Sequence, residues 1–141
     1  MTGISTGRLG RRWIAPALAA SAIALLAACG GSSKPAYCAD RTELKESVKE
    51  LPGLVTSADL SGLLAQAEKV EVTAGTVVES AEQDFPSETK AIGSSVVRLV
   101  DGVQALPPEP TSTQFAKVGI EAATVVAAVR NFSKATDSEC G

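Results

Sequence analysis

The chain has 141 residues, with 13 basic and 16 acidic side chains, no histidine and a formal net charge of −3. That length holds one domain, and a chain without histidine has no Ser-His-Asp triad, no Cys-His pair and no histidine-ligated haem. Arg8, Arg11 and Arg12 are the only charged residues before Cys29, so the remainder carries ten basic side chains against 16 acidic ones, a formal −6. An acidic, aromatic-poor domain lacks the basic stripe that nucleic acid requires, and as a whole it is repelled by anionic lipid head groups.

Residues 1–12 are polar and positively charged, and Trp13 to Ala28 form an uncharged, mainly apolar run. This is the signal-peptide pattern, and the run is short for a membrane-spanning helix, which needs about 20 residues. It ends in Leu26-Ala27-Ala28-Cys29. The tetrapeptide resembles the lipobox of bacterial lipoproteins, in which the thiol is alkylated with diacylglycerol and the chain is cut just before it. The resemblance implies that residues 1–28 are a cleaved signal peptide and that Cys29 becomes a lipidated N-terminus. The protein would then sit at the outer face of the cell membrane, held by acyl chains that each contribute about 0.8 kcal/mol per buried CH₂. Arg11-Arg12 hints at twin-arginine export, but its surroundings match that signal poorly and general secretion is the expected route. Gly30 to Ala36 has the composition of a flexible tether, reaching roughly 20–25 Å when stretched. The expected division is therefore signal peptide 1–28, lipidated tether 29–37 and domain 38–141.

With Cys29 assigned to lipid, Cys38 and Cys140 remain, an even pair in an exported context. They bracket the domain and are read as a disulfide. A metal site would need histidine or more thiolates, so neither metal nor cofactor is expected.

Four amphipathic stretches follow. The first opens with Asp40 as N-cap and Glu43 in capping-box register, places Leu44, Val48 and Leu51 on one face, and is expected to stop at Pro52-Gly53. The second starts near Ser57 or Asp59 and carries the long stripe Leu60, Leu63, Leu64, Ala67, Val70, Ala74, Val77, Val78 and Ala81, closed by Phe85-Pro86. The third opens at Ser87 and spaces Ile92, Val96, Leu99, Val103 and Leu106 by fours and threes, until Pro107-Pro108-Glu109-Pro110 stops it. The fourth opens at Thr111 to Thr113 and repeats the pattern with Phe115, Val118, Ala122, Val125, Val129 and Phe132. Valine is abundant in the last two, but an apolar period near 3.5 rather than 2 selects helix over strand.

The expected fold is all-α: an antiparallel up-down four-helix bundle with a short first helix. Only an even number of such helices brings Cys38 and Cys140 to the same end, within the roughly 7 Å that a disulfide allows. Tyr37-Cys38-Ala39-Asp40-Arg41, followed by Leu44, Ser47 and Val48, then Phe85-Pro86 and a distal cysteine, resembles small secreted proteins and lipoproteins of actinobacteria. That resemblance spans nearly all of residues 37–140 and implies no activity and no functional residues.

No pattern for catalysis survives inspection. Ser87-Glu88-Thr89-Lys90 spells S-x-x-K, but the companion S-D-N and K-T-G elements are missing and Ser87 suits an N-cap. Glu68 with Glu71, and Glu79 with Glu82, read as a solvated helix face, as does the charged run Asp40 to Glu50. Arg98 and Arg130 fall between stripe positions and are expected at the surface. Gly75, Gly93, Gly102 and Gly119 lie inside helices, where they permit either close approach or bending. The expected function is non-enzymatic: a lipid-anchored bundle that binds or positions an envelope partner. The alternative is a carrier or sensor of a small apolar ligand held between helices lined by Ala67, Ala74 and Ala122.

Overall fold

The computed structural model describes residues 33–141, which are helical throughout apart from their connections. The first helix begins earlier than its capping signal. α1 spans Tyr37–Val48 without a side-chain cap, because Tyr37 and Cys38 are drawn into the core and take the helix start with them. Tyr37 thus belongs to the domain rather than to the tether. Asp40 sits inside the first turn, and its Oδ2 accepts a hydrogen bond from Ser80 Oγ at 2.6 Å.

Pro52-Gly53 does not terminate a helix. It starts α2, Leu51–Thr56, where proline at the first turn has no intrahelical N–H to lose. α2 ends with Asp59 N–H bonded to Leu54 O and Ala58 N–H bonded to Val55 O. This is the Schellman pattern, with Ala58 in the left-handed position (φ 54°) that glycine usually fills.

α3, Leu60–Ala81, is capped by Asp59, whose side chain accepts from Gly62 N–H. Leu63, Ala67, Val70, Ala74, Val77 and Ala81 are buried, whereas Leu64, assigned to the same stripe, is 42% exposed. α3 stops at Ala81, before Phe85-Pro86. α4, Pro86–Gln104, starts on Pro86 itself, with Phe85 as N-cap residue. Ser87 is therefore not the cap: its hydroxyl donates to Glu88 Oε2 at 2.6 Å. α5, Ser112–Ala135, carries a complete capping box between Thr111 and Gln114, and all six of its stripe residues are buried. A single turn, α6, Asp137–Cys140, ends the chain.

α3 packs on α4, α4 on α5 and α1 on α3, while α2 touches both α3 and α5 and α1 closes onto α5. The core runs from Tyr37 to Cys140 and lies within one compact unit. Its α1–α3 seam is partly polar. Gln66 donates to Ser47 O, and the Ser47 and Thr73 hydroxyls share a hydrogen bond of 2.9 Å, which offsets the cost of burying them. Gly119 allows a close approach, since a Cβ there would lie 3.1 Å from Val55 Cγ1 of α2. Gly75 faces open space.

Candidate functional site

Cys29, and with it the expected signal peptide and lipidation site, lies outside the described residues. Cys38 and Cys140 are bonded to each other, with Cα atoms 5.3 Å apart, so the two ends of the domain meet. Three further sets of contacts hold this end. Lys34 Nζ donates to Cys140 O at 3.1 Å and to Gly141 O at 3.3 Å. Tyr37, Phe85 and Phe132 form a triangle of edge-to-face rings with centroids 5.5 to 6.4 Å apart.

The third set corrects the reading of the Asp40 to Glu50 run as a wet face. Arg41 is buried, at 8% exposure. Its Nη1 donates to Ser133 O at 3.0 Å, Thr136 Oγ1 at 3.1 Å and Asp137 Oδ1 at 2.9 Å. Tyr37, Arg41, Leu44 and Val48 follow the same four-three-four spacing as the apolar stripes, so the position was visible in the sequence even though the residue type argued against burial. Arg41 Nε and Ser133 Oγ are buried without a hydrogen-bond partner among the described residues.

Beside this cluster, α1 and α2 leave a groove against the second half of α5, of about 470 Å³. Its apolar lining is Val48, Pro52, Val126 and Val129, and its basic lining is Lys45, Lys49, Arg130 and Lys134. Ser133 and Asp137 complete it. Two carboxylates on these elements are engaged: Asp137 by Arg41, and Glu46 by Lys49. Lys45, Arg130 and Lys134 have no ion-pair partner within 4 Å among the described residues.

The seam between α3 and α4 has the opposite sign. Glu68, Glu71, Glu79 and Glu82 line its grooves, and Val97 beside them is 57% exposed. These glutamates are solvated, as expected of a surface face. Arg98 and Arg130 are exposed as well. Ser87 and Lys90 are both exposed and do not form a nucleophile site, since the Ser87 hydroxyl instead holds the Glu88 carboxyl below its ordinary range. Ala67, Ala74 and Ala122 are buried in the packed core, where small side chains bring helices close together.

No family model matches the chain, nor does any curated protein or solved structure.

Proposed function

We propose that the protein is a lipid-anchored, non-enzymatic bundle that positions a partner at the outer face of the cell membrane. In this reading α1 with α2, and then α3, α4 and α5, form an antiparallel up-down four-helix bundle tethered through Cys29. The observation that carries it is the meeting of the two chain ends at the Cys38–Cys140 bond. A tether emerging there attaches the domain at one end only, and the long faces of α3, α4 and α5 stay free for contact. The test pairs two measurements in cells. Labelling with a fatty-acid analogue should vanish on Cys29→Ala; unchanged labelling would end the lipoprotein reading. A photo-crosslinker at exposed Val97 should form a discrete adduct that disappears with the same substitution. An adduct indifferent to anchoring would remove the positioning role.

The second reading, a carrier of a small ligand, is favoured by the groove between α1–α2 and α5, whose volume falls within the ~300–1,000 Å³ usual for small-molecule sites. The ligand would lie in that groove rather than among the buried alanines.

A further inference from the structure

We infer that the groove between α1–α2 and α5 binds a single-chain anionic amphiphile, its carboxylate held by Lys45, Arg130 and Lys134 and its tail laid over Val48, Val126 and Val129. The inference rests on the carrier reading and adds to it the chemistry of the ligand.

Three observations support it. The first is charge placement. Lys45 near the end of α1 and Lys49 at its C-cap are four apart, and Arg130 and Lys134 are four apart on α5. Like charges at that spacing repel mildly on a helix, yet the fold turns both pairs into one groove. Four of the ten basic side chains of an acidic domain therefore line a single site, and three of them lack an ion-pair partner among the described residues. Positive potential concentrated over a low-dielectric wall attracts anions.

The second is Ser133, which lines the groove, is 8% exposed and has an Oγ with no hydrogen-bond partner among the described residues. A hydroxyl left so is costly, and an acceptor bound beside it removes that cost. Arg41 contributes from behind, because it holds Ser133 O and the Asp137 carboxylate. That carboxylate, the acidic residue of the lining, is thereby ion-paired through one oxygen, its side chain 68% exposed.

The third is shape and polarity. Valine and proline side chains make the apolar part, and from Val126 to Lys134 the groove follows α5 for roughly 12 Å at ~1.5 Å per residue. That suits one extended alkyl chain with a charged end. It does not suit a polar anion alone, which has no use for the apolar wall.

The test uses the 33–141 segment, which holds the whole described core and its disulfide. Dodecanoate, dodecyltrimethylammonium and acetate are titrated by calorimetry below micelle formation. Dodecanoate should bind saturably, one to one, and at least tenfold more tightly than the cationic amphiphile or acetate. Lys45→Glu/Arg130→Glu/Lys134→Glu should weaken it at least tenfold, with Lys69→Glu and Lys90→Glu, on other helices, showing no effect. Should the charge-reversed variant fail to fold, the same three positions as glutamine carry the test.

Equal affinity for the two alkyl head groups would overturn the inference and leave an apolar carrier groove standing. No saturable binding of dodecanoate would overturn both. Tight acetate binding would remove the role of the tail. Sedimentation with phosphatidylglycerol vesicles that depends on the three cations, and that dodecanoate does not compete away, would assign them to a membrane surface and overturn the inference.

Discussion

Replacing Cys38 and Cys140 with alanine isolates what the disulfide contributes. The bond spans 102 positions, and loop-closure entropy assigns about 4.7 kcal/mol to a loop of ~100 residues, with ~2–4 kcal/mol typical of measurement. Unfolding entropy near ~2.1 cal/mol/K per residue gives about 0.23 kcal/mol/K for residues 33–141. The melting temperature should therefore fall by about 10–20 °C. The effect acts mainly on the unfolded chain. In the folded state Arg41, Lys34 and the ring triangle still hold the same two ends, so helical content at low temperature should be unchanged. Urea titration followed by circular dichroism provides a second readout, because an uncrosslinked unfolded chain exposes more surface and raises the m-value. A stability loss under ~1 kcal/mol with an unchanged m-value would refute the loop-entropy reasoning.

Two further predictions test local features. Gly75→Ala should stabilise by up to about 1 kcal/mol, the helix-propensity difference, since a Cβ there meets nothing within 4 Å. Gly119→Ala should bring no gain, because its Cβ would press on Val55; equal gains in thermal melts at both sites would dismiss the close approach of α2 to α5. The Asp59 carboxyl is held below its ordinary range, first by the Gly62 N–H and then by the Ser61 hydroxyl. A depressed folded-state pKa means that its contribution is complete above the ordinary aspartate range and is lost as pH falls through the lowered value. The stability advantage of the native protein over Asp59→Asn should shrink on acidification, and an advantage constant between about pH 6 and about pH 2 would exclude the charged cap.

The long helices were legible because their core positions are apolar and evenly spaced. Ile92, Val96, Leu99 and Val103 of α4, and Phe115 through Phe132 of α5, all lie in the core where the period puts them. The first helix was harder to read, since burial there is not carried by apolar residues alone. Arg41 and Ser47 are inside because α5 supplies a carbonyl, its C-cap residue Thr136 a hydroxyl and α6 a carboxylate to the one, and α3 a threonine hydroxyl to the other. Those partners lie 26 to 96 positions away and have no local signature. Asp40 misled as a cap because Tyr37, three residues earlier, has a place between Phe85 and Phe132. Pro52-Gly53 misled for a simpler reason: a proline that stops one helix is equally acceptable at the first turn of the next.

The groove shows how a net charge differs from a charge distribution. A formal −6 correctly describes a domain repelled on average from anionic surfaces, and says nothing about any one face of it. Lys45 with Lys49, and Arg130 with Lys134, are each visible in the sequence as a cationic pair at helical spacing, but the pairs are 81 positions apart from Lys49 to Arg130. Only the closing of α1 onto α5, pinned by Cys38–Cys140 and by Arg41, turns two unremarkable surface pairs into one basic site. The same closure leaves the glutamates of α3 on the α3–α4 seam, away from the α1–α5 groove. An acidic domain can therefore offer an anion a place to bind, provided the anion meets the α1–α5 side and carries an apolar chain to cover Val126 and Val129.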